Sequence, residues 1–248
     1  MPFNDHFSRQ SRAYADYRPT YPRALIEFLA SASAGRQLVW DCGTGSGQAA
    51  TLLASSFDRV YATDASAQQI ANASPLDRVD YAVASSSASG LPDHSCDLVT
   101  VAQAAHWFDL PAFYAEVRRV LRPRGVIAMW CYVAVETDSA LLNDCLHEFQ
   151  YGRVEPYWPP GRELVDARYE TLPFLFERIA TPSFQMTAQW TRDGLLGYIS
   201  SWSAVARCRD VECVDPLPAL AADVATLWPN ADEVREVRWP VYLLVGRV

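Results

Sequence analysis

No lysine occurs anywhere in the 248 residues, and all 21 basic side chains are arginines. That absence excludes a Schiff-base lysine and the lysine of a phosphate-binding P-loop, so pyridoxal enzymes and P-loop nucleotidases drop out. Positive charge is scarce as a whole, with a formal net charge of −8. Nucleic-acid binders usually present a basic stripe that releases counterions from the phosphate backbone, so nucleic acid is not expected as a partner. Long apolar runs are missing too. The longest, such as residues 126–135, is too short to span a bilayer, and residues 1–10 carry charge and no signal-peptide core. A soluble, cytoplasmic protein without a membrane partner is the expectation. The six cysteines form no C-x-x-C pair and show no spacing of the kind zinc sites use, so no metal site is expected. Cys42, Cys96 and Cys131 lie in or beside apolar segments, where a reduced thiol behaves as a small hydrophobe. Of the four histidines only His106 sits in a motif; His6, His94 and His147 have no supporting context.

Hydrophobic residues make up 50% of the chain and charged ones 20%, a balance that supports a full core. Pro22 opens a helix over residues 23–32, in which Leu25, Phe28 and Leu29 share a face. Strand patterns at 38–41, 59–64, 79–83, 96–103 and 126–133 alternate with helical patterns at 48–55, 68–72 and 110–121. Beyond them, helices are expected at 137–149, 192–200 and 218–227, and strands at 174–184 and 238–245. Such alternation predicts an α/β fold with a doubly wound, mostly parallel seven-stranded sheet, Rossmann-like, with helices on both faces. We expect one domain over residues 1–248. Cap helices would fill 1–35, the ligand-binding core 36–135 and an inserted lid region 136–170, with 171–248 completing the sheet. The insertion would lie over the carboxyl ends of the strands, where open α/β sheets bind ligands.

The sharpest motif is Val39-Trp40-Asp41-Cys42-Gly43-Thr44-Gly45-Ser46-Gly47, a strand running into a glycine turn with a helix beyond. Gly43 and Gly45 would let the backbone come close to a ligand, and the following helix would offer free N–H groups. The spacing is G-x-G-x-G with Gln48 next, which departs from the dinucleotide fingerprint and points away from NAD. Asp64 lies 21 residues after Gly43 at the end of the next strand, where an acid can accept from both hydroxyls of a ribose. The alternative for Asp64 is a helix N-cap, with Ser66 as a competing cap.

Residues 39–132 resemble the core of the class I S-adenosylmethionine methyltransferases, in particular the methyltransferase type 11 group. Three segments resemble the trans-aconitate methyltransferase-like branch: Tyr14-x-x-Tyr17-Arg18-Pro19-x-Tyr21-Pro22; Leu91-Pro92 with Asp97-Leu98-Val99-Thr100; and Ala102-Gln103-Ala104-Ala105-His106-Trp107-Phe108. A weaker likeness extends to Trp190-Thr191 and to residues 198–203. The resemblance implies S-adenosylmethionine as cofactor and a small-molecule methyl acceptor, with carboxylic acids among the candidates. It implies that Gly43, Thr44 and Gly45 approach the methionyl part of the cofactor, with Asp41 supporting the turn. Asp64 would hold the ribose, Ala65 would touch the adenine, and Ala88 and Ser89 would flank its edge. The family often has G-x-A-E before Leu-Pro, whereas this chain has Ser86-Ser87-Ala88-Ser89, so adenine contacts there would fall to backbone N–H groups.

Tyr14 and Arg18 are candidates for closing over the cofactor's carboxylate, which an arginine grips in a bidentate fork. With residues 1–22 they would form a lid. Gln103, at the end of the fourth strand, would face cofactor or substrate, or have its amide satisfied by backbone. His106 would be a general base, a donor to an anionic substrate, or a packed ring beside Trp107 and Phe108. Trp107, Trp130, Trp158, Trp190 and Trp202 would wall a pocket or fill the core. A cation facing a carboxylate acceptor would come from Arg153, Arg162, Arg168 or Arg207, and no spacing picks one. Two other classes share this sheet: an NAD-dependent dehydrogenase, and a non-catalytic cofactor-binding or regulatory protein.

Overall fold

The computed structural model describes residues 19–248. Five parallel strands run β1 (Leu38–Cys42), β2 (Arg59–Asp64), β3 (Val79–Val83), β4 (Cys96–Ala102) and β5 (Leu121–Tyr132). Their spatial order is β3-β2-β1-β4-β5, so the chain reverses direction across the sheet between β1 and β4. A crevice forms outside the strand ends at such a reversal.

The remaining strands are β6 (Glu177–Arg178), β7 (Phe184–Trp190) and β8 (Arg235–Arg247). β8 runs antiparallel to β5, from Val126↔Arg247 to Tyr132↔Val241. β6 and β7 both line the other edge of β8, so eight strands fill seven positions. The strand expected over 174–184 is therefore two pieces on one lane, and its longer piece begins where the expected one ended.

Period-two alternation assigns side chains to the two faces of the sheet. In β5, Val126, Ala128, Trp130 and Tyr132 enter one core, whereas Ile127, Met129 and Cys131 enter the other. The first core is covered by α1 (Arg23–Ala32) and α2 (Gln48–Leu53), which bury Leu25, Ile26, Leu29, Ala49, Ala50 and Leu53. Across the sheet, α4 (Leu110–Val120) buries Phe113, Tyr114 and Val117. The short α3 (Ala67–Ala71) follows β2.

After β5 come α5 (Ala140–Glu148), a π-helical turn at Phe149–Arg153 and α6 (Arg162–Asp166). Next are α7 (Arg192–Ser200), α8 (Ser203–Glu212) and α9 (Leu217–Leu227). α6 and α8 are absent from the periodicity reading. The first is one turn long, and Arg207, Arg209 and Asp210 break the apolar stripe of the second. Side-chain caps mark α3, α4, α5 and α7, where Ser66, Asp109, Ser139 and Thr191 accept from backbone N–H groups. Among the described residues, no helix is long and apolar enough to cross a membrane.

Candidate functional site

The glycine turn leaves β1 at the reversal point, with Gly43, Gly45 and Gly47 all at positive φ. The three are small for different reasons. A Cβ on Gly43 would meet the Cβ of Ala104 at 2.6 Å, and one on Gly47 would collide with the hydroxyl of Tyr81. Around a Cβ on Gly45 the nearest atom would be Oε1 of Gln69, 3.9 Å away. Gly43 and Gly47 are thus packing glycines, and Gly45 alone borders open space.

Hydrogen bonds set this turn rigidly. The N–H groups of Gly43 and Thr44 both donate to the carbonyl of Thr63, at 2.8 and 2.9 Å. Asp41 is fully buried without a cation and accepts from the hydroxyls of Thr44 at 2.6 Å and Thr100 at 2.7 Å. Burial pushes its carboxyl up to about 6, with the two hydroxyls and a backbone N–H acting in the opposite direction. Asp64, at the end of β2, accepts from the N–H of Gly45 at 2.9 Å on one oxygen and from that of Ser66 at 2.9 Å on the other. The helix cap is Ser66, which accepts from Gln69 N–H, so Asp64 is not the cap.

Gln48, the residue that broke the dinucleotide spacing, donates from Nε2 to the carbonyl of Pro19 at 2.5 Å. The chain entering α1 is thereby tied to the helix that follows the glycine turn. Tyr21 from the same stretch is buried edge-on against Trp130, with ring centroids 5.4 Å apart. Tyr14 and Arg18, and with them most of the expected lid, lie outside the described residues.

Ala65 and Ala88 are exposed beside this turn and the Ser85–Ala88 bridge, respectively. Ser89 is buried, and Glu116 accepts from both its N–H, at 2.8 Å, and its hydroxyl, at 2.5 Å. The Arg119 guanidinium holds the Glu116 carboxyl down at about 2. Gln103 sits at φ +55 beyond β4. Its amide accepts from the Tyr132 N–H at 2.8 Å and donates to the Tyr132 carbonyl at 3.1 Å. It ties the ends of β4 and β5 together, the backbone-satisfied alternative for this residue.

The opposite wall of the crevice begins at the short turn Ala105–Trp107. The His106 ring nitrogen Nδ1 lies 2.9 Å from the hydroxyl of Tyr169, and the ring packs on Trp107 at 4.9 Å between centroids. Trp107 is half-exposed at the rim. Burial first, and then the positive charge of Arg162, push the imidazole down to about 3, so the ring is neutral near neutral pH. The insertion reaches this turn through Gly161, where a Cβ would meet the carbonyl oxygen of His106 at 2.7 Å.

The geometry separates the four arginines. Arg153 is forked onto Glu212, Arg168 lies over the ring of Tyr242 at 4.8 Å, and Arg207 shares one cavity with Arg162, Trp158 and Asp166. Arg162 is the one close enough to His106 to influence its charge. Its guanidinium stacks on Trp158 at 4.2 Å. Nε donates to Asp166, and Nη2 contacts the same Asp166 oxygen at 2.9 Å without a directed hydrogen bond. Trp158 in turn donates to the carbonyl of Gln150, whose buried Nε2 has no partner among the described residues. Tyr169 and Gln150 are absent from the sequence reading, because neither belongs to a motif. Tyr169 carries only a backbone signal, φ +60 next to Arg168 at φ +57, visible once the chain is folded. Trp190 and Trp202 belong to an aromatic cluster with Tyr198 in the first core, so for them the core-filling alternative holds. A cavity of about 560 Å³ between α5 and α9, lined by Cys145, Phe149 and Leu220, lies apart from the crevice.

Residues 40–129 match the family model for the type 11 methyltransferase domain. A Dictyostelium discoideum protein named as a methyltransferase is 33% identical over 251 residues, spanning 99% of this chain and 95% of its own. A Saccharomyces cerevisiae protein named as an S-adenosylmethionine-dependent methyltransferase is 28% identical over 147 residues, 55% of this chain and 50% of its own. A solved structure from Anaeromyxobacter dehalogenans, described as a type II methyltransferase, superposes with a TM-score of 0.88 at 39% identity, covering 93% of this chain and 98% of that one. With a glycine cradle at the reversal of a doubly wound sheet and a relative matched along nearly its whole length, this chain belongs to the class I S-adenosylmethionine-dependent methyltransferases.

Proposed function

We propose that the methyl acceptor is a small molecule carrying a carboxylate, taken up between the His106 turn and residues 136–170, with the cofactor held across the ends of β1 and β2. The observation that carries the cofactor side is Gly45, whose missing side chain leaves open space beside a carboxylate with both oxygens fixed by backbone N–H groups. In this reading Thr44 and Gly45 face the methionyl part, supported from beneath by Asp41, and Gly43 lets the turn pack on Ala104. Asp64 accepts from ribose hydroxyls, Ala65 borders the adenine, and the backbone at Ala88 and Ser89 bounds its edge. Gln103 shapes the floor, and Trp107 walls the acceptor side. The branch-level resemblance to trans-aconitate methyltransferases supports a carboxylic acid. So does Gln150 Nε2, a buried N–H group without a partner among the described residues, on a residue whose backbone carbonyl accepts from the Trp158 on which Arg162 stacks.

The bound cofactor supplies a methyl group on a sulfonium, whose transfer leaves a neutral thioether. The protein's task is then alignment and exclusion of water. The rigid turn fixes one reactant, and the aromatic wall with its N–H donors fixes the other. The test is twofold. Calorimetry with S-adenosylhomocysteine should show binding to the parent and none to folded Gly45→Leu; equal binding would misplace the site. A screen of small acids, alcohols and amines for S-adenosylhomocysteine release should find turnover with acids. Turnover confined to alcohols or amines would overturn the acceptor assignment.

A further inference from the structure

Tyr169 and His106 come from segments 63 residues apart and meet at 2.9 Å. Tyr169 is completely buried. Its position is fixed by its own N–H donating to the Leu164 carbonyl at 2.9 Å and by two successive non-glycine residues in the left-handed region. Nδ1 of His106 is the one hydrogen-bond acceptor available to its hydroxyl among the described residues. A neutral imidazole carries one proton, on either nitrogen. With that proton on Nδ1, Nδ1–H would donate to the phenol oxygen and the phenol's own proton would be buried without an acceptor, at a cost of about 1–3 kcal/mol. With Nδ1 bare, the phenol donates to it, and the proton sits on Nε2.

We propose that Tyr169 is a positioning residue that fixes His106 as its neutral Nε2–H tautomer, so that His106 meets the methyl acceptor as a hydrogen-bond donor and not as a base. The surroundings favour the uncharged ring. Arg162 of α6 is the charged group acting on it, itself paired with Asp166, and Cys131 of β5 and Tyr21 face Tyr169. No carboxylate hydrogen-bonds to His106 among the described residues.

A consequence follows for the acceptor, and it rests on the cofactor assignment above. A hydroxyl or ammonium nucleophile must lose a proton, and an Nε2–H donor takes none. A carboxylate needs no base. Its lone pair forms the new O–CH3 bond, the C–S pair stays on sulfur, the two charges cancel and no proton is released.

The test uses the full chain labelled with 15N-histidine, the His106 signals being those lost in His106→Asn. The expected spectrum shows Nε2 protonated and Nδ1 bare, unchanged between about pH 5 and 8, the range in which an unperturbed histidine titrates. A proton on Nδ1, or a titration within that range, would overturn the proposal. Tyr169→Phe should turn the single tautomer into an exchanging pair; an unaltered tautomer would remove Tyr169 from the positioning role. Should that variant not fold, the parent spectrum still decides the tautomer. Calorimetry with S-adenosylhomocysteine on the same samples separates the two assignments. Absence of binding would sink the cofactor reading and leave the tautomer result standing, and a titrating His106 with intact binding would do the reverse.

Discussion

The two walls of the crevice are built by different means. On the proposed cofactor side, backbone N–H groups hold the turn: those of Gly43 and Thr44 both meet the Thr63 carbonyl, and that of Gly45 meets Asp64 across 19 residues. On the acceptor side, His106 and Tyr169 are 63 residues apart and are joined side chain to side chain. Backbone bonds are indifferent to most substitutions, whereas side-chain pairs change with a single residue. A fixed cradle for one cofactor and an adjustable wall for the acceptor follow directly from that difference.

The largest effect that would sharpen this contrast is expected at Gly45. Gly45→Leu fills the open space and strains a position at φ +59. We expect cofactor affinity to fall by on the order of 100-fold or more, with a normal circular dichroism spectrum. Gly43→Ala should do the opposite. Its Cβ would press on Ala104, lowering stability by about 1–3 kcal/mol in urea unfolding, with a smaller loss of affinity.

Asp41 comes next. Below pH 3.8 its carboxyl is protonated in folded and unfolded chains alike. Between 3.8 and about 6 the folded chain keeps a proton that the unfolded chain has lost. Stability therefore falls as pH rises through that window, by about 3 kcal/mol in total, and the loss is complete above it. Asp41→Asn, able to accept from one threonine and donate to the other, should abolish the slope in urea titrations across this range. A slope that survives would assign it to another group.

On the acceptor side, His106→Ala should raise the KM for a carboxylate acceptor by about tenfold, the worth of one hydrogen bond to a charged group, with kcat and cofactor affinity near parental. A large fall in kcat that varies with pH would instead mark a base. The smallest effect is expected at Glu212, which accepts from Arg153 and Tyr157 at an exposed position. Glu212→Gln should lower the melting temperature slightly at low salt, and the difference should vanish at high salt.

The same contrast explains what the sequence made legible. The glycine turn, Asp64 and the alternation of strand and helix are short-range patterns of residue type, so the cradle and the first four strands could be read almost to their ends, whereas β5 begins at Leu121, five residues before its expected start. Gln103 was placed correctly at the end of β4, but which of its two alternatives held depended on Tyr132, 29 residues away. Tyr169 and the approach of Arg162 to His106 were invisible, because only folding brings residues 161–169 against the turn after β4. The lane shared by β6 and β7 was missed for a related reason. Its pairing follows β8, and the segment itself reads weakly, interrupted at residues 179–183.

That final strand carries one further consequence, for how the molecule is made. β8 supplies the outer partner of β5 through Val241–Arg247 and a partner for β7 through Arg235–Val241, with Val241 serving both. A nascent chain leaving the ribosome therefore presents the bare rim of β5 throughout synthesis of the stretch from Val133 to Pro240. An unpaired hydrophobic rim is a template for association with other chains, so the growing protein carries that hazard until residues 241–247 emerge. A stop codon placed between Val133 and Pro240 should give aggregates in place of a shortened methyltransferase, even though every residue of the glycine cradle would already have been made.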